Sequence, residues 1–231
     1  MKIGILQTGL VPDNLAEAHG QYPDIFEKFL EAYGFEFAAF SVVTGEFPKD
    51  IYDCDGWLIT GSRHAAYEDH PWIAPLEDFI RDAYAAEIPL VGVCFGHQVM
   101  AQALGGKVEK FGGQWGVGNM EYVHNDGSRS TLLAMHQDQV VTKPPEATVT
   151  ATSDFCQFAG LSYRGKAISI QPHPEFTPEF VQALINERMG TVIPEDQARP
   201  ALETLDMDND SKKFAAEIAE FFKQSIGEKA A

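Results

Sequence analysis

Cysteine is scarce, basic residues are outnumbered, and neither a long apolar run nor a repeat is present. Only Cys54, Cys94 and Cys156 occur, and no two of them form a CxxC pair. A disulfide framework and a zinc knuckle are therefore not expected, and a reducing, cytoplasmic setting fits best. Lysine and arginine number 17 against 34 acidic residues, a formal charge of -17. That charge repels phosphate backbones and anionic lipid surfaces at long range, so no nucleic acid and no membrane is expected as a partner. No uninterrupted apolar stretch is long enough to cross a bilayer. The amino terminus turns polar by Gln7, short of a secretory signal pattern. The stretch Gly4-Ile5-Leu6-Gln7-Thr8-Gly9 lacks the later glycine of a dinucleotide fingerprint.

What is present is an ordinary globular composition, 45% apolar and 22% charged over 231 residues. A chain of that length buries roughly 70% of its unfolded surface around one core. The first half alternates short apolar strands with amphipathic helices. Strands are predicted over 2–7, 35–43, 56–60 and 89–93. One helix carries Tyr22, Ile25, Phe26, Phe29, Leu30 and Tyr33, and a second carries Trp72, Ile73, Leu76, Phe79, Ile80 and Ala83. This order implies an α/β fold, an open, mostly parallel sheet of flavodoxin type flanked by helices, with functional residues at the carboxyl ends of the strands. Between 105 and 165 the apolar runs shorten and alternate, over 117–123, 147–152 and 155–161, which predicts a small antiparallel insertion with a turn at Asn125-Asp126-Gly127. A further central strand over 166–171 and a helix over 180–188 complete a domain spanning 1–190. Residues 191–231 read as a polar C-terminal extension ending in a helix around Phe214, Ile218, Phe221 and Phe222, packed back on the same domain.

Two local patterns carry chemistry. In Gly92-Val93-Cys94-Phe95-Gly96-His97-Gln98 a buried strand runs into a cysteine flanked by small residues, the way an α/β protein builds a nucleophile elbow. The helix that follows aims its amino terminus at the sulfur, which favours a thiolate and supplies backbone amides for an oxyanion. A buried cysteine between glycines can equally be a packing residue. In Gln171-Pro172-His173-Pro174-Glu175 a strand end delivers an imidazole with a carboxylate two positions later, although a histidine between prolines can also serve only a turn. Both patterns at strand ends point jointly to a nucleophile, a base and an orienting acid.

These motifs resemble those of the class I glutamine amidotransferase family, the triad group that includes the glutaminase domain of GMP synthase, and most of all its stand-alone branch of γ-glutamyl peptidases. The elbow matches at Gly92, Cys94, Gly96 and Gln98, and the His-Pro-Glu motif at His173-Pro174-Glu175. The glycine loop matches at Thr60-Gly61-Ser62, and a histidine loop at Met135-His136-Gln137-Asp138-Gln139-Val140. The resemblance runs from Met1 to about Arg188. Pro172 departs from the usual phenylalanine before the histidine, and Trp115 with its neighbouring glycines looks like the peptidase branch.

The resemblance implies Cys94, His173 and Glu175 as the triad, and the Gly61 and Phe95 amides as the oxyanion hole. It also implies Gln98 as a substrate contact, unless it is merely a helix-stabilising amide. His136 and Asp138 are expected to line the same cleft or to form a short polar loop. Tyr67, with Arg63 and His64, and Trp115 are candidates for the cleft wall, the tryptophan also fitting a packing role. No metal ligand is assigned and no cofactor is required. Asp206, Asp208, Asp210 and Glu217 mimic a calcium loop, but Ser211 stands where that loop needs glycine. The expected activity is cysteine-dependent hydrolysis of a small γ-glutamyl substrate through a thioester. The alternatives are a glutaminase subunit passing ammonia to a separate synthase chain, or a non-catalytic binding protein on the same fold.

Overall fold

The computed structural model describes residues 1–227. β1 (Lys2–Leu6) is followed by α1 (Asp13–His19), α2 (Tyr22–Leu30), β2 (Glu36–Phe40), β3 (Gly56–Ile59), α3 (Ile73–Ala85), β4 (Leu90–Val93) and α4 (Phe95–Ala103). Then come β5 (Lys107–Lys110), β6 (Gly116–His124), β7 (Arg129–His136), β8 (Asp138–Thr142), β9 (Ala147–Thr152), β10 (Gly160–Tyr163) and β11 (Ala167–Ile170). α5 (Pro178–Arg188), α6 (Glu195–Glu203) and α7 (Ser211–Gly227) close the described chain.

The main sheet has the order β2-β1-β3-β4-β11-β10-β9-β6-β7. Its first five strands pair in parallel, and from β11 onward every pairing is antiparallel. The expected open parallel sheet is therefore present, and the antiparallel segment is a wing that continues the same sheet; a separate antiparallel pair joins β5 to β8. β3 and β4 are buried at every position, as parallel strands covered on both faces must be.

One face is covered by α3 and α4, which pack Leu76, Ile80, Val99 and Met100 around Trp57. The opposite face is covered by α2 and α7, where Phe26 and Leu30 meet Ile218 and Phe222 over Ile3, Ile5 and Val91. Each of these large side chains contributes roughly 2 kcal/mol on burial. α5 and α6 lie against the wing, with Leu184 and Ala201 in one cluster with Leu133 and Met135. Asp210 ties the approach to α7 to β7, accepting from the Thr131 amide at 2.8 Å. Residues 228–231, the end of the extension read from the sequence, lie outside the described residues. Among the described residues no helix is long and apolar enough to cross a membrane.

Three local expectations need correction. The strand expected over 155–161 begins only at Gly160, because Ser153 closes a turn there: its hydroxyl oxygen accepts from the Cys156 amide, and its own amide donates to the Cys156 carbonyl. The strand expected over 35–43 stops at Phe40, and Val42–Thr44 form a 3-10 turn capped by Gly45. α1 and α6 form where no helix was read. α1 buries no residue, and α6 buries only Ala198 and Ala201 around an internal Pro200, so neither carries a strong apolar stripe.

The junction of β4 and α4 is tightly packed against backbone on both sides. A side-chain carbon at Gly96 would land on the Ile59 carbonyl oxygen and 2.9 Å from its carbonyl carbon, and one at Gly92 would meet Met100 Sδ and the Gly96 backbone. Backbone cannot rotate aside, so Gly96→Ala is expected to lower stability by about 3 kcal/mol. The urea midpoint measures it; an unchanged midpoint would mean that α4 can lift off β3 without cost.

Candidate active site

Four strands deliver the site. β4 runs straight into Cys94, which holds φ 54° and ψ -104°, a left-handed backbone that a cysteine adopts only under constraint. The constraint comes from hydrogen bonds on either side: the Cys94 amide donates to Ile170 at 2.9 Å, the Gly96 amide to Thr60 at 3.1 Å, and the Gln98 amide to Cys94 at 3.0 Å. Strain of this kind costs about 1–3 kcal/mol and persists where the surroundings over-determine it. β3 delivers Thr60 and Gly61. β1 delivers Thr8, which is fully buried and whose hydroxyl lies 2.9 Å from the Thr60 carbonyl oxygen and 3.1 Å from that of Gly61. β11 leads through Gln171 to His173.

Cys94 and His173 meet at Gly61. A side-chain carbon there would stand 2.9 Å from His173 Cε1 and 3.7 Å from Cys94 Cβ, so only glycine leaves room for both. His173 Nδ1 lies 2.7 Å from Glu175 Oε1, and both side chains are almost fully buried. The ring stacks on Phe176 at 3.9 Å between centroids and 5° between planes. Phe176 in turn stacks on Tyr22 at 6.2 Å. The His173 amide donates to the Leu133 carbonyl at 2.8 Å, which fastens this loop to β7. The Ser211 hydroxyl, at the start of α7, donates to the Pro174 carbonyl at 2.6 Å.

The electrostatics follow from this packing. Burial alone would disfavour a charged His173, but the charges of Cys94 and Glu175 and hydrogen bonds to both outweigh it and push the imidazole up to about 10. A histidine raised in the fold stabilises it fully below its unfolded value near 6.5, and that contribution is lost as pH rises through about 10. The unfolding free energy should therefore decline between those limits, and His173→Gln should flatten the decline. Urea titrations of both proteins across the window test this; parallel profiles would refute a charged His173.

His136 is the opposite case. Burial pulls its imidazole down to about 4, with the hydrogen bond to Asp138 opposing and the His173 charge reinforcing the shift. Its Nδ1 donates to the Asp138 carbonyl at 3.2 Å, which leaves Nε2 as a buried, unpartnered acceptor. His97, to which no role was given from sequence, is buried under the elbow with Nδ1 2.7 Å from Ser169 Oγ.

A cavity of about 990 Å³ opens beside Cys94, walled by Tyr67, Gln98, Trp115, His136 and Asp138 among others. Every residue read from sequence as a cleft candidate thus reaches it, with differing freedom. Gln98 is buried, and its amide nitrogen is already committed to the Asp138 carbonyl at 2.8 Å and Gln171 Oε1 at 3.1 Å. The Tyr67 hydroxyl donates to Asp138 Oδ1 at 3.3 Å. Trp115 is half-buried and packs on the cluster shared with α5. The Gly61 and Phe95 amides donate to no backbone carbonyl among the described residues, as expected of a loop glycine and a first-turn helix residue. Asp206, Asp208, Asp210 and Glu217 are not among the described groups whose donors converge as metal ligands would.

With this geometry in place, comparison with known proteins is decisive for the family. The model of the class I glutamine amidotransferases matches residues 24–188. The chain belongs to that family. Gamma-glutamyl peptidase 4 of Arabidopsis thaliana is 29% identical over 222 residues, covering 89% of this chain and 88% of the relative. The glutamine-hydrolyzing GMP synthase component of Methanopyrus kandleri is 29% identical over 183 residues, covering 72% of this chain and 88% of that relative. A glutamine amidotransferase from Methylobacillus flagellatus has the same fold, with a TM-score of 0.79 at 21% identity over 97% of this chain and 94% of its own. As an amidotransferase-family chain it has the elbow and the His-Pro-Glu loop inside the matched region, whereas α6, α7 and Ser211 lie beyond it.

Thr8, Tyr22, Phe176 and Ser211 were missed from the sequence. Phe176 directly follows the motif and could have been read as a ring for the histidine. The other three act across the fold, and no local pattern marks them.

Proposed function

We propose that this protein hydrolyses a γ-glutamyl amide through a γ-glutamyl thioester on Cys94. The observation that carries the reading is the meeting of a strained Cys94 with a buried His173–Glu175 pair at the mouth of one large cavity.

The Cys94 thiolate attacks the γ-carbonyl carbon, and the Gly61 and Phe95 amides hold the resulting oxyanion. As the carbon–nitrogen bond breaks, His173 gives its proton to the leaving amine. Water then attacks the thioester while His173 takes a proton from it, and glutamate leaves with the thiolate restored. Glu175 keeps Nδ1 protonated and orients the ring throughout. No step calls on a metal or an organic cofactor. His136, Asp138, Tyr67 and Trp115 would wall the substrate in, and Gln98 would hold the Asp138 segment in place and offer only its oxygen.

A volume near 990 Å³ is at the upper end of what drug-sized ligands occupy. It favours a γ-glutamyl peptide or conjugate over glutamine alone, in keeping with the peptidase relatives. Three free cysteines fit a reducing, cytoplasmic setting. The likeness to a GMP synthase component supports a second reading, in which the ammonia passes to a separate synthase chain. Amine release by the isolated chain from glutamine, γ-glutamyl dipeptides and glutathione conjugates tests both. Turnover of the larger substrates by the lone chain is the expected result. Activity confined to glutamine would favour the synthase reading, and no release from any of them would favour a binding protein.

A further inference from the structure

The loop that follows Gly61 carries a second constellation that the proposed hydrolysis does not use. His64 Nδ1 lies 3.3 Å from Glu68 Oε2, and His70 Nε2 lies 2.8 Å from the same oxygen. All three donor atoms fall within 4.8 Å of one another, and among the described residues no other group of His, Cys, Asp and Glu converges in this way. Two imidazoles and a carboxylate are the donor set of borderline first-row divalent ions. Bonds of about 2.0–2.2 Å to a tetrahedral zinc place donors roughly 3.3–3.6 Å apart. The 3.3 Å between His64 and Glu68 already matches, and the 2.8 Å between His70 and Glu68 has to open by roughly half an ångström as the ion replaces that hydrogen bond.

The donors are also held in place before any ion arrives. The His64 amide donates to Ser62 Oγ at 3.1 Å, the Glu68 amide to the Ala65 carbonyl at 3.1 Å, and Gln102 Nε2 to the Ala66 carbonyl at 2.7 Å. Trp72 fixes the rings: His70 stacks on it at 6.0 Å and 11°, and His64 meets it edge-on at 5.8 Å. The two imidazoles pack at 4.3 Å between centroids, an arrangement that suits two neutral ligands sharing one ion better than two cations. The side chains keep 21%, 35% and 44% exposure for His64, His70 and Glu68, so an ion has an entry path.

We propose that His64, Glu68 and His70 form a binding site for Zn²⁺ or a similar divalent transition-metal ion. Because His64 and Glu68 also line the cavity beside Cys94, the ion stands in the cavity wall. Three protein ligands leave at least one coordination position for water or for a donor atom of whatever occupies the cavity.

Zinc titration calorimetry on the full chain carrying Cys94→Ser tests the site independently of the hydrolysis, since the candidate nucleophilic thiol cannot then compete for the ion. One ion per chain is expected, with at least about tenfold weaker binding after His64→Ala, Glu68→Gln or His70→Asn. Cobalt should give visible absorption that is lost in the same variants, and excess Mg²⁺ should not displace either ion, because magnesium prefers oxygen donors. Circular dichroism confirms that each variant is folded, and three separate substitutions guard against the loss of one. Absence of saturable zinc binding, binding indifferent to all three substitutions, or ready displacement by Mg²⁺ would overturn the proposal and leave a hydrogen-bonded trio.

Discussion

Cys94→Ser should reduce amine release from a γ-glutamyl substrate by a factor on the order of 10⁴ or more, the scale on which enzymes with linked nucleophile and base fail when the nucleophile is removed. Serine is nearly isosteric and puts a hydroxyl where the thiol stood, in the same left-handed position, so the fold and the cavity should survive. What disappears is the nucleophilic sulfur, together with the negative charge that helps to hold the proton on His173. Single-turnover experiments with a γ-glutamyl compound separate these effects: the variant should still bind the substrate but form no thioester. A matching observation on the wild type is one equivalent of a γ-glutamyl-like electrophile attached at Cys94, which lines the cavity, with Cys54 and Cys156, which do not and whose thiols burial pushes up, left unlabelled. Hydrolysis within tenfold of wild type would remove the covalent mechanism altogether.

Glu175→Gln is expected to cost roughly 10³–10⁴ in kcat, as in triads whose acid is made neutral. The side chain is completely buried and contacts His173 at 2.7 Å. An amide of nearly the same shape fits there without a void, so loss of stability is not the dominant outcome. Its neutral group no longer supports an imidazolium, and if its NH₂ faces Nδ1 the ring is driven into the wrong tautomer. Two readings distinguish this from a packing defect. The kcat should fall far more than KM changes, and the pH dependence of stability assigned to His173 should weaken together with the rate. A variant that keeps its rate while melting early would show that Glu175 is structural.

Much of this geometry was legible because it is written locally. Parallel strands covered on both faces read as continuous apolar runs, which is why β3, β4 and the helix α3 between them were anticipated close to their observed limits. Gly92 and Gly96 bracket Cys94 for a reason a sequence can show: side chains there would collide with Met100 and Ile59. The antiparallel wing was legible as a class, but its fusion to the main sheet through β10 and β11 depends on long-range pairing that no periodicity reports. α6 escaped because its buried residues are alanines beside a proline. His64 was read only as a cleft-wall candidate, and its convergence with Glu68 and His70 escaped because their spacing matches no common ligand pattern and only the loop's path draws the donors to one point.

The contact between Ser211 and Pro174 bears on how this protein should be handled in the laboratory. The family match ends at Arg188, and a minimal version designed to that boundary would look complete on paper. It would nonetheless discard the hydroxyl that braces the peptide between His173 and Glu175, and strip the cover from Ile3, Ile5 and Phe26. Such a truncation would be sticky and loosely assembled at its reacting centre, so expression work should retain the chain through α7.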